Sequence, residues 1–72
     1  MNSRMDGLKI GKRLSDLRRE RGETTAEVAM AIGSSQSAVS MYESGARIPR
    51  DDLKIELSRH FGVPVQQIFF AD

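Results

Sequence analysis

The chain contains no cysteine and no tryptophan, and its only aromatic side chains are one tyrosine and three phenylalanines. The absence of cysteine excludes disulfide bonds and zinc–thiolate sites. No stretch approaches the roughly 18 apolar residues of a membrane span, and the N-terminal residues lack the continuous hydrophobic region of a signal peptide. We therefore expect one small cytoplasmic domain, whose limited core depends on closely packed helices.

The groups that enzymes use for catalysis are also scarce. His60 is the only histidine, and Glu56, one helical turn earlier, is its only acidic neighbour along the chain. One histidine and one glutamate do not make a metal site or a general-base system, and the sequence has no glycine-rich phosphate loop. We predict no enzyme activity, no cofactor and no metal, and interpret His60 as a surface residue near a helix C-terminus.

A net charge of only +1 conceals an uneven distribution of charged residues. Residues 1–22 carry seven basic and three acidic side chains, whereas residues 23–72 carry four basic and seven acidic ones. A basic end steers a protein toward phosphate, but an ordinary solvated helix surface has the same composition. Charge alone leaves both interpretations open.

The N-terminal third of the chain predicts two helices. Residues 1–7 show no periodicity and are interpreted as a flexible arm, so the folded domain is expected to cover residues 8–72. Apolar residues at helical spacing predict the first helix over residues 8–21. Thr24 and Glu27 have the spacing of a capping box, which predicts the start of a second helix of two turns.

A third short helix is predicted between Ser35 and Gly45, since serine is a good N-cap and glycine suits the left-handed residue that ends a helix. At 100° per residue, its outward side is small, polar and uncharged. The residues on that side are Ser37, Ser40, Met41 and Ser44, with Gln36 at the edge. Such a surface suits a DNA major groove, where glutamine pairs with adenine and serine bonds either kind of base edge. A polar surface helix of an ordinary bundle is the alternative.

The C-terminal third predicts a fourth helix after Pro49 and a last helical turn from Val65 to Phe70. Adjacent helical residues point in different directions, so we expect one of Phe69 and Phe70 to pack on the bundle and the other to be exposed. This surplus apolar surface predicts a dimer interface at Val65, Phe69 and Phe70. A frayed terminus is the alternative.

Two short capped helices joined by a glycine-containing turn form a helix-turn-helix pattern, and with it the chain resembles the Cro/C1-type helix-turn-helix family. The residues that carry the resemblance are Leu17-Arg18, Gly22, residues 28–33, residues 35–45, residues 47–49 and residues 61–63. The resemblance implies an all-α, compact five-helix bundle like that of λ repressor. It also implies that double-stranded DNA is bound by a two-fold homodimer on a pseudo-palindromic operator.

The resemblance assigns roles by position. Gln36 matches the first residue of the recognition helix, which reads adenine in phage relatives. The other predicted base-contacting residues are Ser35, Ser37, Ser40 and Met41. The predicted phosphate-contacting residues are Thr25, Ser34, Arg47 and Arg13. Arg18 and Glu43 match a buried ion pair that ties the first helix to the third; two independent surface charges are the alternative.

Three residues depart from the family pattern. Thr25 stands where many relatives carry a glutamine that binds phosphate and braces the recognition glutamine. A threonine hydroxyl still reaches phosphate, but we expect the brace to be lost. Arg50 replaces a frequent capping serine or threonine, so the cap of the fourth helix is expected to shift to Asp51. Pro64 replaces a second residue of that capping kind.

The sequence thus predicts a sequence-specific transcriptional regulator, most simply a repressor or autoregulator. A protein-interaction module, such as the antitoxin of a toxin–antitoxin pair, is the alternative from a different class, and the two roles can coexist. No small-molecule effector and no membrane partner are predicted.

Overall fold

The computed structural model describes the backbone of residues 3–71 and the side chains of residues 7–71. This part of the chain is entirely helical, with short connections and no strand. Its elements are α1 (Ser3–Glu20), α2 (Thr25–Ile32), α3 (Gln36–Ser44), α4 (Asp51–Phe61) and a C-terminal π turn (Gln66–Phe70). The predicted all-α bundle of five helical segments is confirmed.

A single hydrophobic core joins the five segments, and α3 lies within it in contact with both α1 and α2. α2 also contacts α4, and the π turn packs on α1. Burial of a large aliphatic side chain stabilises a fold by about 1.5–3 kcal/mol, and every element contributes at least one such residue to this core. The buried apolar residues are Ile10, Leu14, Val28, Ala29, Ile32, Ala38, Val39, Tyr42, Leu57, Phe61, Ile68 and Phe69.

Two glycines of α1 allow that helix to approach the C-terminal end of α3 closely. A Cβ placed on Gly11 would lie 2.7 Å from the carbonyl oxygen of Tyr42, and one on Gly7 would lie 3.2 Å from that of Gly45. No side chain larger than hydrogen fits at Gly11 unless the two backbones separate. This contact, which was not predicted from the sequence, fixes where α3 sits on the bundle.

The predicted start of the first helix near residue 8 is wrong, because α1 already begins at Ser3. Glycine lowers helix propensity by up to about 1 kcal/mol, and Gly7 therefore obscures the helix at the sequence level. In the folded chain Gly7 is buried against Gly45, and this packing supports the additional helical turn that precedes residue 8. Residues 3–7 of the predicted arm are thus helical, and residues 1 and 2 lie outside the described residues.

The predicted caps of α2 and α3 are confirmed. Thr24 Oγ1 accepts from the Glu27 N–H at 3.1 Å, and the Thr24 N–H donates to Glu27 Oε1 at 2.8 Å. Ser35 Oγ accepts from the Ala38 N–H at 3.1 Å, and Gly45 ends α3 in the left-handed region. Both helices of the motif therefore begin and end at positions that local sequence dictates.

The predicted cap of the fourth helix is wrong. Arg50 occupies the N-cap position with extended backbone and without a side-chain cap, and Asp51 is already the first helical residue. A residue that has entered the helix no longer has the extended backbone that an N-cap requires. Asp52 Oδ1 instead accepts from the adjacent Leu53 N–H at 2.9 Å.

The last turn is a π turn, a wider helix than the predicted α turn. Ile68 and Phe69 are both buried, and Phe70 is 59% exposed. The prediction that one phenylalanine packs inward and the other faces solvent is confirmed. Because Phe69 lies in the core, its prediction as an interface residue is wrong.

Candidate nucleic-acid interface

The outward side of α3 carries no charged side chain. Ser37, Ser40, Met41 and Ser44 are exposed there, while Ala38, Val39 and Tyr42 on the opposite side are buried. Ser44 Oγ donates to the Met41 carbonyl at 3.1 Å and thereby helps to close the end of the helix. The hydroxyls of Ser37 and Ser40 have no hydrogen-bond partner among the described residues and can bond groups outside the chain.

The turn between α2 and α3 is fixed by backbone bonds. Gly33 adopts φ 69°, a left-handed value that glycine tolerates without strain. The Ser34 N–H then donates to the Ala29 carbonyl at 2.9 Å, which satisfies an otherwise free carbonyl at the end of α2. The two helices are thereby held at a set angle, and α3 lies on the surface with its neutral side outward.

Thr25 braces Gln36, contrary to the expectation that the brace is lost. Gln36 Nε2 donates to Thr25 Oγ1 at 3.1 Å. The short threonine suffices because the first residues of α2 and α3 lie side by side, a proximity that sequence reasoning did not foresee. Thr25 accepts in this bond, so its own hydroxyl proton is free to donate. Gln36 retains one amide N–H and its carbonyl oxygen for a base edge.

The C-terminal half of α3 is tied to α1 by the ion pair of Arg18 and Glu43. Arg18 Nε and one terminal nitrogen donate to the two carboxylate oxygens at 2.7 and 3.1 Å. The side chains are 15% and 14% exposed, respectively. The hydrogen bond to Glu43 raises the pKa of the Arg18 guanidinium. The ion pair that the family resemblance implies is therefore present in the structure.

A second polar contact extends this network and was missed from the sequence. The remaining terminal nitrogen of Arg18 donates to the Glu23 carbonyl at 2.9 Å, and the Glu23 carboxylate meets His60 Nε2 at 2.8 Å. The His60 hydrogen bond lowers the pKa of Glu23. His60 lies in the last turn of α4, as predicted, but its side chain is only 17% exposed, so its interpretation as a surface residue is wrong. Nothing in the spacing of two residues 37 positions apart predicts such a contact.

The predicted phosphate-contacting residues divide into two groups. Thr25 and Ser34 lie beside the N-terminal end of α3, and Arg47 lies exposed in the loop that follows α3, where its N–H donates to the Met41 carbonyl at 3.3 Å. Arg13, in contrast, donates to the Ile68 carbonyl at 3.0 Å and joins α1 to the π turn. The structure therefore gives Arg13 a bond within the fold and does not bring it to the other three.

Two of the three predicted dimer residues, Val65 and Phe70, lie at the face formed by α4 and the π turn. Phe70 is exposed and Val65 half-buried, and both line a groove with Lys54 and Ile55. Lys54 Nζ lies 5.2 Å from the centre of the Phe70 ring. The exposed Ile55 belongs to this apolar face, although sequence reasoning did not include it. We call these four residues the α4 face.

A capped helix, a left-handed glycine turn and a second helix with an exposed neutral side define this molecule as a helix-turn-helix protein. A family model described as helix-turn-helix matches residues 14–68. The chain belongs to this family, of the Cro/C1 type, and its bundle is λ-repressor-like. Family membership indicates a protein that binds DNA and regulates transcription.

A search of curated proteins finds no match to the chain. Among residues 3–71, no helix combines the length and apolar character needed to cross a membrane. Within the same described part, no three histidine or carboxylate side chains are grouped so that they could hold a metal ion.

Proposed function

We propose that this protein is a sequence-specific transcriptional regulator that inserts α3 into the major groove of double-stranded DNA. The observation that carries the proposal is the neutral, exposed side of α3, with Gln36 held in place by Thr25. Solvated helices normally carry charged side chains, whereas a base-reading helix needs groups that match base edges. The proposed action is repression by occupancy of an operator.

Base reading and backbone attraction are proposed to come from different residues. Gln36, Ser37 and Ser40 are neutral and short, which suits the choice of a base; Ser35 and Met41 flank them. Arg47, with the hydroxyls of Thr25 and Ser34, is proposed to contact phosphates, which position a protein on the duplex without selecting a sequence. Phosphate contacts by cations also make binding salt-dependent.

Two copies are proposed to associate through the α4 face, with recognition helices about 34 Å apart, one turn of B-DNA. The exposed phenyl ring of Phe70 beside Ile55 supports this, because a second copy would cover both. Phe70→Asp is expected to convert the dimer to a monomer in light scattering at micromolar concentration. Met30→Asp is the matched control, since Met30 is an exposed apolar residue on α2. A wild-type monomer with full DNA affinity would contradict the proposed dimer.

Selection of bound sites from a random duplex pool tests the function itself. We expect an enriched pseudo-palindrome with two half-sites about one helical turn apart, and an adenine at one fixed position of each half-site. A pool that shows no enriched sequence would contradict sequence-specific binding. That result would favour the alternative in which the main partner is another protein.

A further inference from the structure

Met41 places an exposed sulfur atom on the outward side of α3. It lies one helical turn from both Ser37 and Ser44 and is 41% exposed. Met30, on α2, is 84% exposed and is the other methionine whose side chain is described. The chain has no cysteine, so methionines are its only sulfur-containing residues. An oxidant that reaches this protein therefore meets thioethers and no competing thiol.

Met41 is the one large apolar side chain among the exposed residues of α3. The other exposed residues of this helix are Gln36, Ser37, Ser40 and Ser44, all polar and neutral. In the major groove an apolar group matches one feature of the base edges, the C5-methyl group of thymine. A helix that reads bases through these side chains therefore brings the Met41 thioether against a thymine methyl.

The packing of α3 keeps Met41 on this side. The next residue, Tyr42, is only 4% exposed, and Arg18 Nε holds the Glu43 carboxylate at 2.7 Å. The Met41 carbonyl also accepts the N–H of Arg47 at 3.3 Å. Rotation of the helix would expose the Tyr42 ring and break the ion pair. A change in the polarity of the Met41 side chain must therefore act at the DNA surface.

We propose that Met41 is a site of reversible oxidation by peroxides and that its sulfoxide weakens binding to the operator. A lone pair of the sulfur attacks one oxygen of hydrogen peroxide, so that an S–O bond forms and the O–O bond breaks. The hydrogen on the transferred oxygen passes to the departing hydroxide, which leaves as water. The sulfur is oxidised by two electrons and the peroxide is reduced by two.

The reverse step needs a reductant. Two thiols return the two electrons through a methionine sulfoxide reductase, which leaves a disulfide and releases the sulfoxide oxygen as water. Each of the two sulfoxide epimers has its own reductase. The modification therefore alters the protein without consuming it.

The effect on DNA rests on the proposed function and follows from hydrogen bonding. The sulfoxide oxygen is an acceptor, and a thymine methyl offers no donor to it. An acceptor that loses its water without gaining a partner opposes binding. We expect an affinity loss of about fivefold or more for the selected duplex. A scrambled duplex should lose less, because Met41 meets no fixed base there.

The first experiment measures where oxidation occurs. The protein is treated with hydrogen peroxide, alone and saturated with the selected duplex, and sulfoxide at Met30 and Met41 is followed by peptide mass spectrometry. We expect both residues to be oxidised in the free protein. The duplex should slow oxidation of Met41 and leave that of Met30 unchanged. A free protein in which Met41 resists peroxide overturns the modification site, and equal Met41 rates with and without bound duplex overturn its place in the groove.

The second experiment measures affinity before and after peroxide treatment in the wild type, Met41→Leu and Met30→Leu. Each variant is compared with its own untreated form. The wild type and Met30→Leu should lose affinity for the selected duplex, and reductases for both epimers with a dithiol should restore it. Met41→Leu keeps every other methionine and should lose none. An equal loss in Met41→Leu and in the wild type overturns Met41 as the responsible site.

Uracil in place of single thymines of the selected duplex tests the methyl contact. At one position per half-site, uracil should weaken binding of the untreated protein and leave that of the oxidised protein nearly unchanged. If no thymine behaves in this way, the contact is wrong. An untreated protein that selects no sequence contradicts the proposed function and with it this effect on DNA. A protein that binds its operator equally well before and after oxidation of Met41 contradicts this inference alone.

Discussion

The two ends of α3 are held by interactions of different strength. At the C-terminal end, Arg18 binds Glu43 through two bonds of 2.7 and 3.1 Å, and both side chains are largely buried. At the N-terminal end, Gln36 is held by one exposed bond of 3.1 Å to Thr25. Charge-assisted bidentate bonds are roughly twice as strong as neutral ones.

This difference separates anchoring from recognition. The C-terminal end combines the ion pair with the close approach of Gly11, and together they hold the helix on the bundle. The N-terminal end only restricts the orientation of one amide, which still needs freedom to meet a base. Substitutions at the C-terminal end of α3 should therefore alter folding stability. Substitutions at the N-terminal end should alter the choice of DNA sequence.

The largest effect is expected from breaking the ion pair. Arg18→Met alone leaves the Glu43 carboxylate without its cation and should lower the free energy of unfolding by about 3 kcal/mol, the lower end of the range for buried pairs, because some solvent access remains. Arg18→Met with Glu43→Leu should be destabilised much less. Urea unfolding of the four proteins of the cycle measures the coupling. Additive effects of the two substitutions would mean that the residues are not coupled.

The next largest effect is expected on the affinity for DNA and on its sequence preference. Gln36→Ala should weaken binding to the preferred operator by about 1–3 kcal/mol and relax the preference for adenine. Arg47→Ala should weaken all sequences alike and lower the salt slope by about one. Titration of both variants on operator and scrambled DNA at several salt concentrations makes the distinction. If Gln36→Ala weakens both duplexes equally, Gln36 does not read a base.

A smaller effect on operator affinity is expected from removing the hydrogen bond between Thr25 and Gln36. Thr25→Val removes the hydroxyl with little change of shape, and the lost hydrogen bond should weaken operator binding by about 1 kcal/mol. Thr25→Ser keeps the hydroxyl and should retain most of the affinity, which makes it the control. Equal affinities of the valine and serine variants would show that the bond to Gln36 does not support recognition.

The smallest effect is expected on the free energy of unfolding at acidic pH. His60 lowers the pKa of Glu23 in the folded state, so the ionised carboxylate stabilises the fold above the ordinary glutamate pKa. This contribution is lost as the pH falls below about 4.5 and through the lowered pKa. In His60→Ala the free energy of unfolding should depend less on pH in this range. Urea unfolding of both proteins between pH 6 and about pH 3 measures it; identical pH profiles would contradict the linkage.

Much of the recognition motif could be predicted from the sequence. The caps at Thr24 and Ser35 and the inward side of α3 depend on residues within one or two turns of each other, where spacing determines geometry. The ion pair was accessible only through the resemblance to a family, since nothing local connects Arg18 to Glu43. The placement of Arg13 could not be predicted, because a basic residue on α1 suits a phosphate or a carbonyl equally well.

The sequence by itself determined the number and order of the helices and the uncharged outer side of α3, because capping and amphipathic spacing act over a few residues. Only the tertiary structure decided which distant polar groups meet. Thr25 reaches Gln36 and Glu23 reaches His60 because of how closely the helices approach one another. That approach depends on packing across the core, including the bare backbone of Gly11 against α3, and no spacing along the chain encodes it.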